Sequence, residues 1–267
     1  MWRLALRAAT ETRRRPLCAA PLAGRVLETS QGPLWARVSP APHPGAPAIA
    51  LVHGVIVSGR YLLPAAVGLA RACAVVVPDL PGYGLSAAPA ESPSISALAD
   101  AVIGAAHAAG HPRVALVANS FGAQVATAAA VRHPAAVERL VLIGPTVDPA
   151  ARNLPAHALR WLRCFPDEDT AVLAVMARDV ADVGVPLAAH LLRVMLHDRI
   201  EERLPDVRQP TLVIRGERDR IVPQRWAQEA AHLLPDGRLV VLPGQAHMPH
   251  WSRPEPLVTH LRAFLDA

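Results

Sequence analysis

The sequence predicts an α/β protein in which a mostly parallel, doubly wound sheet is interrupted by a helical insertion. Short continuous apolar runs, such as AIALVHG at 48–54 and AVVVPDL at 74–80, have the length and composition of strands buried on both faces. Segments with helical spacing alternate with these runs, and the alternation stops after Pro145 and resumes near residue 211. Strand–helix–strand order at this spacing indicates crossover connections, which give parallel strands with helices on both faces.

The elements before the insertion begin with two strands around a turn at Gln31-Gly32, followed by a Pro/Gly loop. Ser94 or Ser96 can cap the helix that ends near Ala109. The pattern predicts strands within 25–38 and at 48–54, 74–80, 113–120 and 137–145. It predicts helices at 59–72, 94–109 and 121–133.

The segment 146–208 has apolar positions at helical spacing and several prolines, among them Pro155, Pro166, Pro186 and Pro205, but no strand-like run, so we expect two to four helices there. The strand signal then resumes, and the pattern predicts strand, helix, strand and helix at 211–219, 224–235, 237–247 and 255–267. We therefore expect an N-terminal arm at 1–24 and a core made of 25–145 and 209–267. The insertion, at 146–208, is expected to lie over one edge of the sheet.

Composition and charge exclude several classes of protein. Of the 267 residues, 52% are hydrophobic and 18% charged, which is typical of a globular chain. The net charge is +5, but the arginines are spread along the chain and do not alternate with aromatic residues. We therefore expect a small-molecule substrate and no nucleic-acid partner, while a homodimer stays open.

The chain has no apolar run of about 18 residues, so we expect no transmembrane segment. The basic N-terminus has two interpretations: a docked or frayed arm, or a small amphipathic helix on a membrane surface built on Trp2, Leu4 and Leu6. The three cysteines are far apart, and the histidines do not cluster at ligand spacing. We therefore expect no metal, no cofactor and a reducing compartment, the cytoplasm.

Ser120 lies where a buried strand turns into a helix, in the sequence ANSFG. A tight turn there needs small residues two positions before and two after the serine, and Ala118 and Gly122 are both small. The hydroxyl then lies at the carboxyl end of the strand, beside a helix N-terminus that favours an anion. Ser120 is thus a candidate nucleophile, and the alternative is a serine that only caps the helix.

Asp219 and His247 each follow a later strand, which brings them to the same end of the sheet as Ser120. In that arrangement His247 takes the proton from the serine, and Asp219 orients the imidazole and stabilises its charged form. Glu217 is a rival for the acid and His250 for the base.

The motif LVHG at 51–54 ends an earlier buried strand. The loop after it can aim the backbone N–H of Val55 towards the serine, and the N–H of Phe121 follows the serine directly. Two such donors would form an oxyanion hole. His53 itself is expected to be a structural histidine that hydrogen-bonds beneath the loop.

Five motifs in this order resemble the α/β-hydrolase superfamily over residues 25–266: LVHG, VPDLPGYGLS, ANSFG, IRGERDRIVP and GQAHMPHWSRPE. The resemblance implies the α/β-hydrolase fold, with Ser120 as nucleophile, Asp219 as acid and His247 as base. It also implies that the N–H groups of Val55 and Phe121 form the oxyanion hole. The insertion then corresponds to the helical cap that covers the site.

Asn119, directly before Ser120, resembles the elbow of the meta-cleavage-product hydrolases, which cut carbon–carbon bonds, and Trp251 also has a counterpart there. The chain departs from that subgroup because it has fewer glycines after HG and around the elbow. Asn119, Tyr61, Trp161 and Trp251 are the predicted substrate-binding residues.

The function predicted from the sequence is a serine hydrolase that cleaves an ester, lactone or thioester of a small to medium apolar substrate through an acyl-enzyme. Apolar residues of the insertion would line the pocket or form the core of the insertion, and acyl transfer to an acceptor other than water stays open. The alternatives are a carbon–carbon bond hydrolase and a partner-binding protein without catalysis, because a fold does not prove an activity.

Overall fold

The computed structural model of the protein describes residues 19–266. Most of the predicted N-terminal arm, including the amphipathic pattern around Trp2, lies outside the described residues. Within them, no helix has the length and apolar character needed to cross a membrane.

The core is an eight-stranded sheet with the strand order β1-β2-β4-β3-β5-β6-β7-β8. The pairs β1–β2 and β2–β4 are antiparallel, and all the other pairs are parallel. The strands are β1 Ala23–Thr29, β2 Gly32–Val38, β3 Ala48–Val52, β4 Ala74–Pro78, β5 Val114–Asn119, β6 Val137–Ile143, β7 Thr211–Gly216 and β8 Gly237–Leu242. The predicted fold class, a mostly parallel α/β sheet of the α/β-hydrolase type, is confirmed.

Helices cover both faces of this sheet. Outside the insertion they are α1 Leu63–Leu69, α2 Ile95–Ala108, α3 Phe121–Arg132, α8 Gln224–Leu233, α9 Pro249–Ser252 and α10 Pro254–Leu265. α1 and α10 pack on one face with the side chains of Ile49 and Val75, and α2, α3 and α8 pack on the other with Ala50 and Leu116. Adjacent residues of one strand thus point into different cores, as the period of two requires.

Between β6 and β7 the chain forms four α-helices: α4 Leu154–Cys164, α5 Thr170–Val183, α6 Val185–His197 and α7 Ile200–Arg203. We call residues 146–208 the helical insertion. The segment predicted as one helix at 59–72 begins as a 3₁₀ turn at Gly59–Leu62 before α1 starts. Pro64 stands in the first turn of α1, where its missing N–H is tolerated.

The parallel strands end along one edge of the sheet, and polar residues follow within five positions of the end of four of them. His53 follows β3, Ser120 follows β5, Asp219 comes three residues after β7, and His247 comes five residues after β8. This edge is the general location of ligand sites in open α/β sheets.

Candidate active site

Ser120 occupies a strained turn between β5 and α3. Its backbone has φ 58° and ψ −122°, and its side chain makes no capping hydrogen bond to the helix. A non-glycine residue in such a conformation costs on the order of 1–3 kcal/mol and persists only where its surroundings impose it. The interpretation of Ser120 as a simple helix cap is therefore excluded by the geometry.

The space on either side of this turn explains the small residues around Ser120. A Cβ atom on Gly122 would lie 2.5 Å from the carbonyl oxygen of Val52 and 2.6 Å from that of His53, so only glycine fits. Ala118 is fully buried in β5, where it pairs with Val52 and Leu142 of the neighbouring strands. The turn therefore tolerates alanine on its strand side but requires glycine on its helix side.

Asp219 and His247 are in direct contact. Oδ2 of Asp219 lies 2.7 Å from Nδ1 of His247, and Oδ1 accepts hydrogen bonds from the backbone N–H groups of Ile221 and Val222 at 2.9 Å. Burial lowers the pKa of His247, but the charge of Asp219, their hydrogen bond and the charge of Glu168 together raise it above its ordinary value. The pair therefore favours a protonated imidazole, as a general base needs when it accepts a proton.

The two rival residues are placed elsewhere. The exposed Glu217 accepts a hydrogen bond from the N–H of Gly244 at 2.7 Å, on the outer side of the loop. The ring of His250 packs edge-on against Tyr61, with 4.5 Å between centroids, and burial lowers its pKa to about 3. Neither side chain takes the place of Asp219 or His247.

The loop after β3 lies directly against Ser120. A Cβ on Gly54 would lie 3.3 Å from the Cβ of Ser120, and Val55 lines the same cavity as Ser120. Phe121 is the first residue of α3, where backbone N–H groups have no partner within the helix. The structure thus places the backbone of Val55 and Phe121 beside Ser120.

His53 supports this loop from below. Its Nε2 accepts a hydrogen bond from the N–H of Leu80 at 3.0 Å, and its Nδ1 lies 2.9 Å from the carbonyl oxygen of Gly54. Because a carbonyl oxygen can only accept, Nδ1 carries the proton and the ring is neutral. This is the structural role that the sequence analysis expects of His53.

Comparisons with known proteins identify the family of this chain. A model described as the alpha/beta hydrolase family matches residues 49–260, which is more than half of the chain. The chain belongs to the alpha/beta hydrolase family.

Relatives of this alpha/beta hydrolase have several activities. A 2-hydroxymuconate semialdehyde hydrolase of Pseudomonas putida is 30% identical over 68% of this chain and 72% of its own. A biotin biosynthesis bifunctional protein of Cellvibrio japonicus is 26% identical over 82% of this chain and 48% of its own, so this chain spans about half of that protein's length. The crystal structure of a membrane phospholipase A, a bacterial virulence factor, superposes with a TM-score of 0.77 at 26% identity, over 92% of this chain and 86% of the other.

Two cavities of this hydrolase meet at Trp161. The inner one has a free volume of about 10 Å³, room for roughly one water molecule, and is lined by Ser120, His247 and Trp161 among others. The outer one has a volume of about 370 Å³ and an apolar lining. Val55, Trp161 and Met176 line both cavities and form the wall between them.

The outer cavity is lined by some of the apolar residues of the helical insertion. Its lining includes Leu154, Trp161, Leu162, Phe165 and Met176. Three further apolar residues of the insertion do not line it: Leu159 is 47% exposed, Val172 is fully buried and Leu173 packs on the core. Part of the predicted set thus faces the cavity and part forms the core of the insertion.

Asn119 and Tyr61 line the inner cavity, but their polar atoms bind other protein groups. The hydroxyl of Tyr61 donates to Oδ1 of Asn119 at 2.8 Å and accepts from the N–H of Gly54 at 2.7 Å. The amide nitrogen of Asn119 donates to the carbonyl oxygens of Ile143 and His247 at 3.1 and 3.2 Å. These hydrogen bonds join the loops that surround Ser120, and the predicted contact of both residues with substrate stays a prediction.

Trp251, the remaining residue predicted to bind substrate, is buried in the core. Its side chain is 3% exposed, belongs to the core beneath α1 and α10, and lines neither of the two cavities. Its place on α9 explains this, because that short helix turns its tryptophan towards the core.

Two residues of the site were missed by the sequence analysis. Gly144 follows β6 with φ 52°, and a Cβ there would lie 2.9 Å from Nδ1 of His247 and 3.0 Å from Oδ2 of Asp219. Glu168, in the insertion, accepts a hydrogen bond from the backbone N–H of His247 at 2.7 Å. The glycine after a predicted strand was a usable signal for the first, but no pattern in the sequence marks the second.

Within the described part of the chain, no three His, Cys, Asp or Glu side chains come together as a metal ion would require. Ser120 and His247 line one cavity, and Asp219 lies beside His247.

Proposed function

We propose that this alpha/beta hydrolase is a serine hydrolase that cleaves an ester-like bond of a small to medium apolar substrate. The observation that carries the proposal is the orientation of His247. Its Nδ1 is held by Asp219, whereas its Nε2 is buried without a hydrogen-bond partner among the described residues, and the ring shares a cavity with Ser120. A ring held in this way has one nitrogen left to take the proton of a serine.

The reaction proceeds through an acyl-enzyme. Oγ of Ser120 attacks the carbonyl carbon of the substrate while its proton passes to Nε2 of His247, and the N–H groups of Val55 and Phe121 bind the oxyanion. Collapse of this intermediate breaks the bond to the leaving oxygen or sulfur, which takes the proton from His247. A water molecule then repeats the sequence, which releases the acid and restores Ser120.

The apolar character of the substrate is argued from the outer cavity. Apart from His157, its lining is apolar, and its volume of about 370 Å³ is within the range of pockets that bind small molecules. In this proposal the helical insertion is the cap of the enzyme, and Trp161 lines the passage from the carbonyl group at Ser120 to the acyl chain in the outer cavity.

A fluorophosphonate probe tests the assignment of the nucleophile. We expect the wild-type protein to be labelled, and Ser120→Ala and His247→Ala to lose the labelling. Ser92→Ala, which changes an exposed serine, is the matched control and should be labelled like the wild type. A correctly folded wild-type protein without labelling would contradict the serine-hydrolase proposal and favour a binding protein on the same fold.

The second candidate is a carbon–carbon bond hydrolase, and it rests on the Pseudomonas putida relative at 30% identity. The two residues behind that resemblance in the sequence, Asn119 and Trp251, are occupied by internal hydrogen bonds and core packing. Turnover of 2-hydroxymuconate semialdehyde and of aryl esters should be compared at equal enzyme concentration. We expect kcat/KM to be higher for the aryl esters, and the reverse order would favour the second candidate.

A further inference from the structure

A carboxylate of the helical insertion reaches the loop that carries His247. Glu168 lies between the 3₁₀ turn Phe165–Asp167 and α5, and its side chain is 7% exposed. Its Oε1 accepts hydrogen bonds from two consecutive backbone N–H groups, those of His247 at 2.7 Å and Met248 at 3.2 Å. Bonds from a charged acceptor to adjacent N–H groups fix the direction of the backbone from which the imidazole extends.

The surroundings of Glu168 are apolar and carry few charges. Burial raises the pKa of Glu168 to about 7, although the charge of His247 and the two N–H groups lower it. The thiol of Cys164 lies 3.7 Å from Oε1, and burial raises the pKa of that thiol to about 12. The negative charge of Asp219 also raises the pKa of Glu168. Oε2 is buried and has no hydrogen-bond partner among the described residues, so it is the oxygen that a proton would occupy.

The other titratable groups near His247 stay uncharged around neutrality. Burial lowers the pKa of His157 to about 4 and that of His250 to about 3, and the charge of His247 lowers both further. The pKa of His247 therefore depends mainly on the charges of two carboxylates, Asp219 at its ring and Glu168 at its backbone.

We propose that Glu168 is a positioning residue for His247: from the helical insertion it holds the backbone of the histidine loop, and its charge stabilises the protonated imidazole. The inference rests on the proposed function, in which His247 Nε2 receives the proton of Ser120. Glu168 exchanges no proton with the substrate. It acts because the imidazolium that forms in this step is stabilised by the negative charges of both Asp219 and Glu168.

Two substitutions separate the two parts of this role. Glu168→Gln keeps a carbonyl oxygen that can accept from the N–H groups of His247 and Met248 but removes the charge. Glu168→Ala removes both. The matched control is Asp167→Asn, which removes a carboxylate one position earlier that pairs with the exposed Arg220 at 3.1 Å.

The first measurement is the titration of the His247 ring by NMR, assigned with a His247→Gln variant. In Glu168→Gln we expect the midpoint to fall by about 0.5 pH unit or more, because one of two stabilising charges is lost. Asp167→Asn should titrate like the wild type. This readout needs no substrate, so it tests the inference even if fluorophosphonate labelling contradicts the proposed function.

The second measurement is the pH profile of ester hydrolysis. In Glu168→Gln the acidic limb of kcat/KM should move to lower pH together with the NMR midpoint. In Glu168→Ala we expect kcat to fall by about 10–100-fold with a smaller change in KM, because a misplaced base slows the reaction more than it weakens binding.

A purely structural role predicts a different pattern. Both variants would then lower the melting temperature and leave the His247 midpoint and the acidic limb where they are in the wild type, which would overturn the inference. If Glu168→Ala does not fold, the Gln variant and its NMR titration decide the question.

Discussion

Oδ2 of Asp219 and Nδ1 of His247 lie 2.7 Å apart, and both side chains are about 1% exposed. A carboxylate in this position holds the ring so that the proton is on Nδ1 and Nε2 can accept. In Asp219→Asn we expect kcat to fall by about 10⁴-fold with an unchanged fold, because the amide favours the wrong tautomer. The measurement is the steady-state hydrolysis of an aryl ester.

Glu217→Gln is the control for Asp219→Asn. It makes the same chemical change two residues earlier, at a carboxylate that contacts Gly244 and not His247. We expect its kcat to stay within about threefold of the wild type, since an exposed charge near but outside the site has a small effect. Equal losses in the two variants would contradict the assignment of the acid.

Trp161 should control the preference for acyl-chain length, because it lines both cavities and its ring lies edge-on to His247 at 5.8 Å between centroids. In Trp161→Ala the passage between the inner and outer cavities widens. Each further methylene buried in the outer cavity is worth about 0.8 kcal/mol, or roughly fourfold in kcat/KM. We expect a steeper rise of kcat/KM from acetyl to octanoyl esters than in the wild type.

Leu159→Ala is the matched control for Trp161→Ala. Leu159 lies on the same helix, α4, but is 47% exposed and lines neither cavity. Its chain-length profile should equal that of the wild type. If Trp161→Ala also gives the wild-type profile, Trp161 does not control the passage between the two cavities.

Asp179 should be one of the most costly residues to remove. It is fully buried, accepts a hydrogen bond from the N–H of Ser58 at 2.8 Å and pairs with Arg60 at 2.5 Å. Burial raises its pKa to about 6, even though Arg60 and Ser58 lower it. Asp179→Ala should reduce the free energy of unfolding by about 3–5 kcal/mol, because the buried guanidinium loses a partner charge.

Urea unfolding measures this loss. Glu202→Ala breaks the pair with Arg199, in which both side chains are at least 60% exposed. That control should change the free energy of unfolding by less than about 1 kcal/mol. If Asp179→Ala lowers the free energy of unfolding by no more than this control does, the buried pair of Asp179 and Arg60 contributes little to stability.

Acid should destabilise the protein through its buried histidines. Burial lowers the pKa of His53 and His157 to about 4 and that of His250 to about 3. In the unfolded chain a histidine titrates near 6.5, so the unfolded state binds more protons below that pH. The stability these residues contribute is therefore complete above about pH 6.5 and is lost as the pH falls towards 4 and 3.

Thermal unfolding between pH 7.5 and 4 tests this dependence. The melting temperature of His157→Gln should fall less steeply with decreasing pH than that of the wild type, because the variant lacks one of the three buried histidines. His260→Gln changes an exposed histidine on α10 and should leave the slope unchanged. Equal slopes in the wild type and His157→Gln would show that the imidazole of His157 is not desolvated.

Much of the fold could be predicted because its signals are local. Buried strands such as 48–52 and 74–78 are continuous apolar runs, and Ser94 caps α2 as its side chain predicts. The order of the strands carries Ser120, Asp219 and His247 to one edge of the sheet, since each follows a strand end.

Other features depend on contacts between distant parts of the chain. Tyr61 and Asn119 are 58 positions apart, yet their side chains are joined by a hydrogen bond. Glu168 and His247 are 79 positions apart, and a single glutamate in a helical segment resembles any exposed one. Such pairings follow from packing between the insertion and the core, which periodicity does not reveal.

Gly144 has a consequence for the tolerance of this chain to mutation. The His247 ring and the Asp219 carboxylate occupy the volume that any side chain at position 144 would need. A survey of all substitutions should therefore find this position as intolerant as the acid and the base themselves, although it contributes no functional group. Loss of activity at a position does not identify a participant in the chemistry, because here the constraint is the space that two neighbouring side chains already fill.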